Sequence, residues 1–107
     1  MFEIRPKKIQ ERALLIGLEQ EGVTKWDLLD SMDELRELAN SAGAQVVNTV
    51  TQKLPRPTAP YYIGRGKAEL IRDSFKDQPV TSVIFNDELS PAQGRNLENL
   101  LSRKVLD

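Results

Sequence analysis

The sequence predicts an α/β fold: a small open parallel four-stranded sheet with helices on both faces, in the order β-α-β-α-β-α-β. Three observations carry this expectation. Short runs of aliphatic and β-branched residues alternate with segments whose apolar residues recur every three or four positions. Two of the runs, Arg12–Glu19 and Val80–Asn86, are apolar almost throughout, as strands covered on both faces must be. Capping signals and stop residues bound the helical segments, so each has the length of a crossover between parallel strands.

Taken in order, "RALLIGLE" (Arg12–Glu19) reads as the first strand. "EQEGVTKWDLLD" lengthens the first crossover, where Thr24 with Asp27 can cap a short helical turn and Trp26 is expected to pack against the sheet. The main helix is expected from "SMDELRELANSAG": Ser31 and Glu34 form a capping box, and Met32, Leu35, Leu38, Ala39 and Ala42 recur at helical spacing. Gly43 then supplies a left-handed stop. "AQVVNTVTQ" (Ala44–Gln52) is rich in β-branched residues and reads as the second strand. "KAELIRDSFKD" puts Ala68, Ile71 and Phe75 on one face of a second helix, which Asp77, Gln78 and Pro79 close. "VTSVIFN" (Val80–Asn86) is the third strand. In "SPAQGRNLENLLS", Ser90 caps, Pro91 takes the first helical position, Gln93 closes the box, and Leu97, Leu100 and Leu101 form the buried stripe. "KVLD" (Lys104–Asp107) begins the fourth strand, a candidate edge. By analogy with doubly wound sheets, the strand order is expected to be 2-1-3-4.

A chain of 107 residues supports one core. Histidine and cysteine are both absent, which excludes disulfides, thiolate and imidazole metal sites and Ser–His triads. No apolar run reaches the roughly 20 residues of a membrane span, and the N-terminus lacks the apolar core of a signal peptide, so the expected compartment is the cytoplasm. A formal net charge of −1 hides a polarised surface. Glu19 to Glu37 holds seven acids and two bases, whereas Lys53, Arg56, Arg65 and Lys67 lie together with no acid among them.

Those four basic residues surround "PRPTAPYYIGRGKAEL" (Pro55–Leu70), the stretch with most chemical content. As a Walker A loop it fails: Tyr61 stands where the first glycine belongs, and Ala68 replaces the Mg²⁺-binding hydroxyl. As a dinucleotide loop it fails at Glu69, where the third glycine belongs, and Lys53 to Ile63 separate it from the preceding strand. Its charges suit a polyphosphate surface. The connection leaves the carboxyl end of a parallel strand, a helix start adds N–H groups and a positive dipole end, and Tyr61 and Tyr62 offer rings that stack on bases. Gly64 and Gly66 are candidates for positive φ in the turn. The alternative is a solvated turn with basic side chains snorkelling. Asp87 and Glu88 follow the third strand as carboxylates do in receiver-like phosphoacceptor sites; the plainer reading is that they favour the positive end of the helix they precede.

"ERALLIGLE", "SMDELRELANSAGAQVV", "TVTQKLPRPTAPYYIGRGKAEL" and "VIFNDELSPAQGRNLENLLSRKVLD" together resemble the N-terminal domain of the HflX family of GTPases. The resemblance runs from about Arg12 to Asp107 and is densest in "YYIGRGKAEL" and "NDELSPAQGRNLE". It implies a domain over 12–107 after an N-terminal extension over 1–11. In the parent, a helical hairpin and a Ras-like GTP-binding domain follow, and neither is in this chain. It also implies a cytoplasmic parent that hydrolyses GTP with Mg²⁺, binds the large ribosomal subunit and splits ribosomes under stress. The fragment itself is expected to need no cofactor and no metal and to have no catalytic residue. Its expected partner is the large subunit with its ribosomal RNA, with no DNA and no membrane, and a monomeric state is expected. Lys53, Arg56, Tyr61, Tyr62, Arg65 and Lys67 are the candidate RNA-binding residues, with Gly64 and Gly66 setting the loop geometry. Two other functions stay open: a receiver-like phosphoacceptor or nucleotide-binding module, and a purely structural domain that positions the hairpin.

Overall fold

The computed structural model describes residues 11–107. Its elements are β1 (Arg12–Glu19), α1 (Lys25–Ser41), β2 (Gln45–Lys53), α2 (Arg65–Phe75), β3 (Ser82–Phe85), α3 (Pro91–Leu101) and β4 (Lys104–Leu106). The four strands form one parallel sheet in the order β2-β1-β3-β4, as expected from the sequence.

β1 organises the packing. Its side chains alternate between the two faces, as the period of a strand requires. Leu14, Ile16 and Leu18 point to the face covered by α2 and α3, where they join Ala68, Ile71, Leu97, Leu101 and Phe85. Ala13 and Leu15 point to the other face, where they meet Leu28 and Met32 of α1. Six consecutive residues, Ala13 to Leu18, are buried. Gly17 lets α1 come close: a Cβ there would sit 2.5 Å from Met32 Sδ and 3.0 Å from Leu28 Cδ1.

The structure corrects the expected start of the first helix. α1 begins at Lys25, capped by Thr24, whose side chain accepts from Asp27 N while Asp27 accepts from Thr24 N. Ser31 is an exposed residue within this helix, not its cap. The reason lies in the core: starting at Lys25 brings Leu28 onto β1 one turn before Met32. Trp26 does not pack on the sheet and is 75% exposed, and Leu38, expected in the buried stripe, is 62% exposed. α1 ends at Ser41, and Gly43 supplies the anticipated left-handed residue just beyond it, with φ 93°.

The other strands shift only at their ends. β2 runs one residue later than expected, and β3 is trimmed to Ser82–Phe85, although Thr81 N and Asn86 N still donate to β1 carbonyls at 2.9 and 2.8 Å. α3 has the expected Ser90–Gln93 box, with Pro91 at its start. Arg103, which sequence reading passed over, ties the far end of the sheet together. Its guanidinium donates to the carbonyls of Phe75 (2.5 Å), Val80 (2.8 Å) and Leu101 (3.1 Å), closing the last turn of α2 against α3. Glu11, assigned by sequence to the extension, bonds to the sheet through Lys104 Nζ at 2.7 Å and Gln45 N at 2.7 Å; the rest of that extension lies outside the described residues.

Thr24→Ala and Ser90→Ala should each cost about 1 kcal/mol, whereas Ser31→Ala, mid-helix and exposed, should leave stability unchanged or slightly raised. Gly17→Ala should cost about 1–3 kcal/mol by overpacking against Met32. Urea melts of the four variants check this. A loss at Ser31 matching that at Thr24 would contradict a helix that begins at Lys25.

Candidate nucleic-acid interface

The basic residues gather at the carboxyl end of the sheet, on the connection between β2 and α2. β1 and β2 keep pairing just past their ends: Leu54 N donates to Glu19 O and Glu21 N to Pro55 O, each at 3.1 Å. This fixes the departure of the loop beside Lys53 and Arg56, both exposed. The chain then folds into a closed turn, in which Thr58 N donates to Tyr62 O at 2.9 Å and Tyr62 N to Thr58 O at 3.0 Å. Two side chains of α3 hold that turn from below. Gln93 Nε2 donates to Thr58 O at 2.8 Å, and Asn96 Nδ2 to Pro60 O at 2.9 Å. Thr58 Oγ1 donates to Ile63 O at 2.5 Å, and Gly64 N donates to Gln52 Oε1 at 2.9 Å.

The glycines do not provide the left-handed residue of this loop. Gly64 has φ −64° and is the N-cap of α2, and Gly66 lies inside the helix with open space around it. A Cβ on Gly64 would stand 3.1 Å from Gln52 Nε2, so this glycine serves close approach to β2. Positive φ falls instead on Tyr62, at 67°. A bulky residue there is a rare backbone state, which surrounding contacts have to hold.

Those contacts are specific. The Tyr62 ring packs edge-on to Phe85, with centroids 6.0 Å apart and planes at 86°. Its hydroxyl donates to Asp87 Oδ2 and accepts from Gln20 Nε2 at 2.9 Å. Tyr62 is 3% exposed, so its ring cannot serve as the base-stacking surface expected from the sequence. Tyr61 is half-buried and packs against the same core cluster while keeping part of its ring at the surface. Asp87 is thus a partner of Tyr62 in this structure. Among the described residues no three acidic or other metal-binding side chains converge on a cation site.

Of the basic side chains, Arg65 is exposed and pairs with Glu69 one turn on, Nε to Oε1 at 3.0 Å. Lys53 lies 3.8 Å from Glu19, a loose pair at a wet surface that contributes little. Neither Arg56 nor Lys67 is in an ion pair among the described residues. The first turn of α2 holds no acid and no side-chain cap, so the helix presents its N–H groups and positive dipole end beside Arg65 and Lys67. The structure therefore brings Arg65, Lys67 and the helix start together, with Lys53 and Arg56 on the same connection. A neighbouring hollow is lined by Glu19, Glu21, Val23, Lys53 and Leu54, so two carboxylates share it with the Lys53 ammonium. Sequence reading missed the anchors Gln52 and Asn96, and gave Gln93 only its capping role. Their only signal was their polarity beside strand and helix ends.

Comparison with known proteins places the chain. The sequence profile described as "GTP-binding GTPase N-terminal" matches residues 29–107. The protein named GTPase HflX from Lacrimispora saccharolytica is 41% identical over 97% of this chain and 24% of its own length. GTPase HflX from Caldanaerobacter subterraneus is 37% identical over 92% of this chain and 22% of its own length. This chain thus spans about a quarter of the length of these curated relatives. The fold also matches a GTP-binding protein from Sulfolobus solfataricus solved with GDP, at TM-score 0.62 and 18% identity over 91% of this chain and 27% of that one.

Burial, and then the hydrogen bond and charge of Asp87, push the Tyr62 phenol above its ordinary value of 10.0. The folded state thus favours the neutral phenol more than the unfolded state does. The corresponding stability is complete below about pH 10 and is lost as pH rises past it, where only the unfolded chain ionises. Tyr62→Phe removes this group from the linkage. Its urea midpoint should therefore fall less steeply than that of the wild type between about pH 9 and 11, and parallel alkaline limbs would contradict the burial of the phenol.

Proposed function

The chain belongs to the GTP-binding GTPase N-terminal family, and from that premise we propose that it is the ribosome-binding N-terminal domain of an HflX-type GTPase. The curated relatives are named as GTPases. GTP hydrolysis, with GTP and Mg²⁺, belongs in this reading to a nucleotide-binding domain outside these 107 residues. The whole protein would act in the cytoplasm on the large ribosomal subunit and split ribosomes under stress. The present domain would contribute a surface for ribosomal RNA and no catalytic group.

The observation that carries the reading is a basic connection, hydrogen-bonded to β2 and α3, beside an acid-free helix start. Lys53, Arg56, Arg65 and Lys67 would meet backbone phosphates, as charge-assisted contacts that position an RNA without reading its sequence. Tyr61 would stack on an unpaired base. The engagement of Asp87 by Tyr62 and Gln20 argues against a phosphoacceptor role for that carboxylate.

Binding to isolated large subunits should weaken as salt rises, because condensed counterions are released on association. Arg65→Ala with Lys67→Ala should lower affinity and flatten the salt slope by about 1–2 units, at about 0.7–0.9 per phosphate contact. Lys76→Ala with Lys104→Ala, exposed residues after the end of α2 and at the start of β4, is the control at the opposite end of the sheet. Equal losses in both double variants would mean diffuse attraction only. No binding by the wild type would favour a purely structural domain.

A further inference from the structure

We propose that Tyr62 is the positioning residue of the basic connection: it fills the crevice between the carboxyl ends of β1 and β3 and, through Asp87 and Gln20, fixes the path of the chain from Arg56 to Lys67. The inference rests on the reading that this connection meets RNA phosphates, and it assigns that surface its source of rigidity.

The topology defines the crevice. β1 and β3 are neighbours, yet the chain leaves β1 for α1 on one face and leaves β3 for α3 on the other. In open parallel sheets this divergence opens the gap in which ligands usually bind. Gln20 is the first residue after β1, and Asp87 is the second after β3. The Tyr62 hydroxyl bonds to both, and Gln20 Nε2 also reaches Asp87 Oδ2 at 3.4 Å. The ring below the hydroxyl packs on Phe85, the last residue of β3. The gap is therefore filled from within by a side chain of the β2–α2 connection.

The backbone is committed to this arrangement. Tyr62 takes φ 67°, a state bulky residues rarely adopt, and does so where the mutual Thr58–Tyr62 bonds close the turn. The next residue, Ile63, is fully buried, and Gly64 begins the cap of α2. One inserted side chain thus sets both the turn that follows Arg56 and the start of the helix that carries Arg65 and Lys67. A surface already ordered loses less freedom when it binds. The same insertion denies the crevice to a small ligand.

Tyr62→Phe keeps the ring and removes only the hydroxyl. Amide hydrogen exchange in the isolated chain should quicken about tenfold or more at Tyr61 to Gly64 and change little in β1, because the opening is local. Asp87→Asn retains an acceptor oxygen and should stay near the wild type, whereas Asp87→Ala should follow Tyr62→Phe. Unchanged loop exchange in Tyr62→Phe, or equal quickening in β1, would overturn the proposal. In the large-subunit assay Tyr62→Phe should lose about three- to tenfold in affinity with an unchanged salt slope, since every cation remains. Wild-type affinity with a loosened loop would overturn the positioning role. If the wild-type chain itself fails to bind, the RNA reading falls, and the exchange data still decide whether Tyr62 fixes the loop.

Discussion

The two-sided burial of β1 is the constraint on which the rest of this domain depends. A strand with six successive buried residues has to be central, and its alternating side chains have to be covered by separate layers. Leu14, Ile16 and Leu18 recruit α2 and α3, while Ala13, Leu15 and the space left by Gly17 recruit α1. With β1 in the middle, parallel neighbours on either side need crossovers of opposite direction, and the right-handed rule then sends α1 to one face and α2 and α3 to the other. The crevice between β1 and β3 follows from the same arrangement. The strand that holds the core together thus also decides where the domain has its chemically distinctive end.

At that end the molecule uses polar anchoring where a larger domain could rely on apolar area. The β2–α2 connection is long and rich in proline, yet three elements hold it: β2 through Gln52, α3 through Gln93 and Asn96, and the β1–β3 crevice through Tyr62. Gln52 and Asn96 pair the Gly64 N–H and the Pro60 carbonyl, Gln93 adds a second bond to the Thr58 carbonyl, and the Tyr62 bond joins side chains alone; each such bond contributes about 0.5–1.5 kcal/mol net. The basic side chains stay outside this network. Lys53, Arg56 and Arg65 are exposed, and the ion pairs of Lys53 and Arg65 are surface pairs that an incoming phosphate can replace at little cost. Anchoring residues and exposed basic residues thus alternate along one segment.

The first helix shows how local and tertiary signals compete. Two capping boxes lie seven residues apart, Thr24–Asp27 and Ser31–Glu34, and each is a valid start by local chemistry alone. A cap contributes about 1 kcal/mol, whereas burying a leucine contributes about 1.5–3 kcal/mol. Burying Leu28 against β1 requires the earlier start, so the later box becomes mid-helix surface. At α3 only one box was available, and there the expected and observed starts agree at Ser90. Trp26 and Leu38 were misplaced for a related reason. Periodicity identifies an apolar residue but not the orientation of the helix, and α1 turns Trp26 and Leu38 to solvent while burying Leu28, Met32 and Ala39.

The α/β class, the number and chain order of the elements and the segment that carries the basic charge were legible in the sequence, whereas the strand order came from analogy with doubly wound sheets. The legible features depend on periodicity, β-branched content and charge along the chain, all of which are local properties of a single residue string. Tertiary structure alone decided which tyrosine is a surface and which is a plug. Tyr61 and Tyr62 are adjacent and chemically identical, and only the placement of Gln20, Phe85 and Asp87, from 23 to 42 residues away along the chain, draws Tyr62 into the crevice. It also decided that positive φ falls on Tyr62 and not on Gly64 or Gly66, because the contacts that hold a strained backbone state come from other elements of the fold.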